Sequence, residues 1–487
     1  MSKSRKNCYK ERIKGIRGLM MNKKTFHNPI IKGGYPDPSI CRVGDTYYLV
    51  TSSFYYFPGL PVFKSKDLVH WEQIGNAISR PEQLDFQDCD SSEGLWAPTI
   101  RYYEGTFYII NTLDVNGRTC RQNFIITAED PKGPWSEAVI IQGADGIDPS
   151  LFFDREGRMW YCSNLTPKDL KYPEQKVIYA GELDRDTFQF KGEPQVIFPK
   201  EGPGSFPNHE FFEASSIRKD GDKYIFVYSS RHNHELCYAV SDRPDGGFSF
   251  GGTLVSQGDL FLDGNEDERK GLNYLGNTHG GLLNIGEDWY IFYHRQTNRH
   301  SYSRQACAEK LVRSPDGSFR QAEVTSCGLN GGPLRGIGRY PAYIACNLWS
   351  RDGVGRYDCP TPRRAFATHP FFTQTEKDRE GDGGQYIANM RDGAVAGFKY
   401  FDIREIKTVS VELSGAAEGE FLLSGRPDFQ TVSARIQLKL TGGRAEFRAP
   451  CAMADGERAL YFKFCGVGCV DFHFFSLEGA KDESKSI

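Results

Sequence analysis

Five short segments of this chain stack on one another, and the stack constrains the fold more than any other feature. They are Pro36-Asp37-Pro38-Ser39, Trp96-Ala97-Pro98-Thr99, Ile147-Asp148-Pro149-Ser150, Phe212-Glu213-Ala214-Ser215 and Thr278-His279-Gly280-Gly281. Each is followed by an aromatic, strand-like run: Tyr47-Tyr48-Leu49-Val50, Phe107-Tyr108-Ile109-Ile110, Met159-Trp160-Tyr161, Tyr224-Ile225-Phe226-Val227 and Trp289-Tyr290-Ile291-Phe292. Turn-forming residues such as Val43-Gly44-Asp45 and Glu104-Gly105 join segment to run, as in a hairpin. A repeat of this length, strand-rich and with variable loops, is what a propeller blade needs. The second residue of each segment, at 37, 97, 148, 213 and 279, defines a slot at the start of an inner strand. Inner strands of blades surround a central channel, so the five slots are expected to converge at one mouth. Asp37, Asp148 and Glu213 fill three of them, and His279 fills the fifth.

At 487 residues the chain is too long for one ordinary core, so more than one domain is expected. Hydrophobic content of 39% and charge of 25% are those of a globular protein, and 52 Gly with 25 Pro suit many short strands and tight turns. The net charge of −3 gives no bulk attraction to nucleic acid or to a membrane surface. No apolar run reaches the roughly 18 residues of a membrane span. Residues 1–24 are basic and lack the apolar core of a secretory signal; they read as a disordered leader, or as an extension upstream of a start at Met20 or Met21. The 13 Cys show no disulfide-like spacing, and most lie within strand-like runs. Free thiols of that kind imply a reducing, cytoplasmic setting. Cys465 and Cys469 lack the second Cys or His pair that a zinc site requires, and read as structural.

The fold class expected is all-β: a five-bladed propeller over 25–325, then a small β-sandwich over 381–480. Residues 326–380 read as a connector packed on the propeller, because Ile344, Leu348 and Trp349 need cover. Residues 481–487 read as a tail. The sandwich is inferred from period-two alternation in Val409-Ser410-Val411-Glu412-Leu413 and in the run Val432 to Leu438.

Carboxylates brought together from separate blades are the raw material for acid–base cleavage of a sugar bond. One carboxylate activates water, a carboxylic acid protonates the leaving oxygen, and the two stand roughly 6.5–9.5 Å apart when configuration is inverted. A third carboxylate keeps the acid protonated through like-charge repulsion. A lone Asp-Pro would be only a turn former; three acids in register are harder to explain that way.

The combination Asn28-Pro29-Ile30, Gly34 to Ile40, Tyr47 to Phe54, Phe57-Pro58-Gly59, Ser65 to Trp71 and Leu95-Trp96-Ala97-Pro98 resembles the opening of glycoside hydrolase family 43. The resemblance covers the first three hundred or so residues. It implies a five-bladed propeller and an inverting glycosidase acting on plant-wall pentose polymers. By motif match it implies that Asp37 is the general base, Asp148 the residue that tunes the acid, and Glu213 the general acid. Glu210 is the competing acid, and the Glu213-Ala214-Ser215-Ser216 setting departs from the family's frequent Glu-Gly-Pro. The resemblance further makes Phe54 and Trp96 walls of the sugar pocket and Arg304, in preference to Arg295, the arginine that grips the terminal sugar. His279 resembles a histidine that some members place beside a central calcium or water, so a calcium near the axis is a possible ligand while no cofactor is required. Leu460 to Phe464 and Val470-Asp471-Phe472 resemble family 6-like carbohydrate-binding modules, although the last Trp of the chain is Trp349.

The expected activity is therefore exo-acting removal of terminal β-D-xylose, α-L-arabinofuranose or both from oligosaccharides. The competing expectations are a non-catalytic sugar-binding propeller, or a family member acting on arabinan or galactan.

Overall fold

The computed structural model describes residues 27–85, 89–115, 121–165, 177–199, 205–231, 233–262, 264–356, 367–375 and 384–479. The leader and tail expected at 1–24 and 481–487 lie outside the described residues.

Among the described residues, twenty-one strands between Ser39 and Arg320 form five antiparallel sheets, four of them simple four-stranded meanders. The inner strands are Ser39–Val43, Thr99–Tyr103, Ile147–Phe153, Phe211–Asp220 and Gly281–Ile285, each paired with the aromatic run read from sequence. The second sheet carries an extra two-residue strand, Gly94–Leu95. Strands of both faces are buried, so the runs are near-continuously apolar. Five apolar clusters fill the gaps between successive blades. Leu60, Ile78, Ile109 and Phe124 join the first pair of blades; Leu151, Tyr161 and Ile110 the next; Phe152, Cys162 and Phe226 the third. Val227, Leu254 and Ile291 join the fourth pair, and Leu49, Phe63, Phe292 and Ala308 close the fifth blade onto the first. The fold is thus a five-bladed β-propeller.

Polar groups set the spacing at the axis. Ser39 Oγ accepts from Ile100 N–H and Ser150 Oγ from Ile217 N–H, each at 3.1 Å, tying one inner strand to another. The buried Arg101 guanidinium donates to the carbonyls of Ile100 and Ile217. The ring is closed by the chain's early residues. Ile30 N–H donates to Ala306 O at 2.8 Å and Tyr35 N–H to Arg304 O at 2.9 Å, along the blade-five strand His300–Arg313. Asn28 saturates its side-chain amide on Ala308, Glu309 and Thr325. Those bonds hold the first blade against the last without a covalent link.

The C-terminal β-sandwich is built on three long strands, Ile406–Ser424, Ala434–Pro450 and Gly456–Gly479. One large core includes Phe398, Phe401, Phe421, Phe462, Phe464, Phe472 and Phe475. The stretch expected as a connector contributes strands to this domain. Leu334–Arg335 and Asn347–Trp349 pair with Val395–Ile403, Gly338–Pro341 pairs with Gly456–Gly479, and Phe371–Thr375 pairs with Gly384–Met390. The physical reason is cover: Ile344 and Leu348 are buried in the sandwich core. The same stretch also meets the propeller, where Arg295 donates to Ala345 O and Tyr343 O at 2.6 and 2.7 Å. Beside it, Lys399 Nζ reaches Asp259 at 2.7 Å and Glu323 at 2.9 Å, a buried ionic clasp between the two domains.

Candidate active site

Strand pairing gives an objective register for the slots. Ser39, Thr99, Ser150, Ser216 and Gly281 pair with Val50, Ile110, Cys162, Val227 and Phe292. Two residues before each stand Asp37, Ala97, Asp148, Ala214 and His279, all buried. The fourth slot therefore belongs to Ala214, and Glu213 lies one residue ahead of it. The stacking of Glu213 with the two aspartates, expected from sequence, is corrected by one position. The cause is local: pairing is irregular on both sides of Glu213, and Ala214 takes a left-handed φ of 69°. Such a bulge re-aims a side chain without changing the strand's neighbours. Asp37 and Asp148 are also left-handed, at φ 57° and 54°. Non-glycine residues in that region cost of order 1 kcal/mol or more, and they gather where function demands the geometry.

Asp37 is held as a carboxylate. Arg304 Nη1 donates to its Oδ1 at 2.7 Å and Ser52 Oγ to its Oδ2 at 2.5 Å. Burial pushes its pKa up, but the Arg304 guanidinium outweighs burial and holds the carboxyl far below the usual carboxylate range. His294 is itself fixed as a neutral tautomer. Its Nδ1 accepts from the Asp37 backbone N–H at 3.1 Å, and its Nε2–H donates to Asn277 O at 2.7 Å. Nδ1 also stands 3.2 Å from Oδ1, a contact that is ionic only when the imidazole is protonated. Burial lowers His294 to about 4, so the neutral form prevails near pH 7.

Asp148 is the opposite case. Burial, with added repulsion from the Asp37 charge, raises it to about 7, although the Ala214 N–H donates to its Oδ2 at 2.6 Å and pulls the other way. Asp37 and Asp148 thus feel one another and are driven to different protonation states. Titratable groups whose environments push them apart are the signature of divided acid and base roles. Glu213 belongs to the same cluster through the chain, since the N–H that Asp148 accepts is that of the next residue. Glu213 is half-buried and paired opposite Ser229. Glu210 is occupied locally: its Oε1 accepts from Asn208 N–H and its carbonyl from Arg231 N–H.

Aromatic rings wall the same region. Phe54, buried and left-handed at φ 50°, bridges to Leu95 of the second blade. The Arg304 guanidinium lies 5.9 Å from its ring, and Tyr302 meets it edge-on at 5.2 Å. Trp96 is half-buried; its indole N–H donates to Ser92 O at 3.1 Å, and Arg121 lies 5.1 Å over its ring. Arg304 therefore joins Asp37 and Phe54. Arg295 does not: its guanidinium faces the sandwich and stacks 3.7 Å over Phe372.

His279 is buried, lowered to about 4 chiefly by burial, and neither ring nitrogen has a protein hydrogen-bond partner. It feels Asp37 and Arg304 electrostatically. A single neutral imidazole fits one position on a calcium ion but does not assemble the six to eight oxygens that calcium takes. Such an ion would be held mainly by water, and no chemistry below is routed through it.

Sequence reasoning missed the support around these residues. His294 follows an apolar run and Ser52 lies among small hydroxyl residues, and composition gives no sign that either faces Asp37. Three amides behave alike. Asn111 donates to Trp96 O at 2.6 Å, Asn164 to Phe212 O at 2.7 Å, and Gln257 to His294 O at 2.7 Å. Each amide nitrogen steadies backbone at the site, and each amide oxygen stays buried without a protein partner. Buried acceptors of this kind are costly unless something donates to them.

Comparison with known proteins agrees with this architecture. The chain is 37% identical over 433 residues to a Thermoclostridium stercorarium xylosidase/arabinosidase, an alignment covering 84% of this chain and 88% of that one. It is 54% identical over 210 residues to the non-reducing end alpha-L-arabinofuranosidase BoGH43B of Bacteroides ovatus, covering 43% of this chain and 36% of that one. Among solved structures, Bacteroides ovatus Xyloglucan PUL GH43B superposes with a TM-score of 0.50 at 22% identity, covering 94% of this chain and all of that one. The model of the glycosyl hydrolases family 43 matches residues 26–319, the whole propeller but its final link, and the chain belongs to that family.

Proposed function

We propose that this chain is an inverting, exo-acting glycosidase that removes terminal β-D-xylose, α-L-arabinofuranose or both from short xylo- and arabino-oligosaccharides. The observation that carries the reading is the split between two buried carboxyl groups of one cluster, Asp37 ionised against Arg304 and Asp148 raised to about 7. Asp37 takes a proton from water as the water attacks the anomeric carbon. Glu213 gives its proton to the departing oxygen. Asp148 holds the Glu213 segment through the Ala214 N–H, and as its own carboxyl ionises near pH 7 its charge opposes ionisation of the acid. Phe54 and Trp96 pack against the sugar's C–H faces, and Arg304, already aligned by Asp37, donates its remaining N–H groups to the sugar's hydroxyls. The names borne by the Thermoclostridium and Bacteroides relatives support a pentose at the cleaved end. Nine described cysteines, Cys89 aside, are free, which supports action in a reducing compartment on oligosaccharides already shortened from xylan.

The aromatics that carry the likeness of the C-terminal domain to carbohydrate-binding modules support a packing role instead. Tyr461, Phe462, Phe464 and Phe472 are all buried.

The test is hydrolysis of nitrophenyl β-xyloside and nitrophenyl α-arabinofuranoside, with the anomer of the first-formed product read by NMR. Turnover of one or both with inverted product is expected. Failure on both, or a retained product, overturns the reading.

A further inference from the structure

Away from the axis, three metal-ligating side chains of different chemistry converge in blade four. His209 lies on the segment that enters Phe211–Asp220, and Glu235 and Cys237 lie at the start of Leu236–Ser241. The His209 Nδ1, a Glu235 carboxylate oxygen and the Cys237 Sγ all fall within 4.8 Å of one another. His209 Nδ1 is 3.5 Å from Glu235 Oε1, and Cys237 Sγ is 3.7 Å from that same oxygen. Both distances are too long for a strong charge-assisted bond, which runs roughly 2.7–2.9 Å for N–H to carboxylate. They are instead close to what a shared ion imposes. Nitrogen and oxygen at about 2.0–2.1 Å from zinc, and sulfur at about 2.3 Å, stand roughly 3.3–3.6 Å apart when arranged tetrahedrally.

The surroundings point the same way. Glu235 is fully buried, and its second oxygen, Oε2, has no hydrogen-bond partner; neither does His209 Nδ1. The donors are already oriented. The His209 ring stacks on Phe250 at 4.4 Å, and its backbone is pinned on both sides, with its N–H donating to Phe206 O and its carbonyl accepting from Tyr228 OH. Cys237 is buried beside Thr253 Oγ1 at 3.8 Å. The His209 side chain remains 24% exposed, which gives an ion a way in.

We propose that His209, Glu235 and Cys237 form a zinc site with a water in the fourth position. On binding, the Cys237 thiol releases its proton to solvent and coordinates as thiolate. The ion would brace the segment entering Phe211–Asp220, the strand of Glu213, against Leu236–Ser241, with Lys223–Ser230 between them. Nothing in this depends on the catalytic reading.

The test is titration of the full, metal-stripped chain with zinc sulfate and with cobalt chloride. One zinc per chain, a raised Tm, and a cobalt spectrum with a thiolate charge-transfer band are expected. Glu235→Gln, nearly isosteric, should weaken zinc binding by at least about 100-fold, and Cys237→Ser should abolish the charge-transfer band. Absence of zinc binding by the wild-type chain, cobalt binding without the thiolate band, or equal affinity in Glu235→Gln overturns the site. The wild-type cobalt spectrum decides by itself, so a variant that fails to fold leaves the test intact.

Discussion

In the C-terminal sandwich, Phe398, Phe462, Phe472 and Phe475 pack edge to face or tilted, with centroids 4.8–6.4 Å apart, in a core of apolar residues. At the propeller mouth, Phe54 shares its ring with a guanidinium, and Asp37, Asp148 and His279 are buried close by. Both regions are strands around an interior. In the sandwich, each local choice agrees with the next and the outcome is stability. At the mouth, left-handed backbone, buried charge and unpartnered amide oxygens all break the rules of a core at once. Departures of that kind survive where function needs them. The contrast separates residues that hold the fold from residues that use it.

The largest effect that would sharpen this contrast is expected from Asp37→Asn. It keeps shape and a hydrogen-bond acceptor for Arg304 while removing the charge. Turnover on the better nitrophenyl glycoside should fall roughly 10²–10⁴-fold, with the thermal transition little moved; near-normal turnover would remove Asp37 from the base role. Glu213→Gln should show a loss of similar size, rescued in part by substrates with good leaving groups, which need less protonation. The reverse pattern is expected from Phe462→Ala in the sandwich: a loss of about 3–5 kcal/mol of stability, with kcat of the folded fraction unchanged.

Asp148→Asn joins both sides of the comparison. Because Asp148 is raised to about 7 from an unfolded value near 4, the native state binds the extra proton between those pH values. Its favourable contribution is complete below about pH 4 and is lost as pH rises through 7. The asparagine variant keeps an acceptor for Ala214 N–H and never ionises. Its stability relative to wild type should therefore rise between pH 4 and 8, by a few kcal/mol at most, while the limb of its pH–rate profile set by the acid shifts. Parallel unfolding curves for the two proteins across that range would show that Asp148 is not held protonated. The smallest effect is expected at the rim: Tyr302→Ala removes a pair with Phe54 of about 0.5–1.5 kcal/mol and should raise KM more than it lowers kcat.

Period and patterning made the propeller legible, because a blade's inner strand and its aromatic partner recur with turn residues between them. Asp37 and Asp148 were legible for the same reason. Glu213 was misplaced by one residue, since a bulge that leaves Ala214 left-handed has no compositional mark in a run such as Phe211-Phe212-Glu213-Ala214. His294 was invisible because a histidine following Tyr290-Ile291-Phe292-Tyr293 reads as core until the fold sets its Nδ1 against the Asp37 N–H. The strands of 334–349 were too short, at two to four residues, for alternation to reveal them.

The segment that shuts the ring has a further implication. Tyr35 grips the carbonyl of Arg304, and two residues later Asp37 grips its guanidinium. The same local register therefore completes the scaffold and aligns the base. On a ribosome, residue 37 emerges long before residue 304, so the base would wait without its partner until another 267 residues had been made. A half-synthesised chain would carry the carboxylates yet have no means of setting them against each other, and hydrolytic competence would switch on only with the last blade in place.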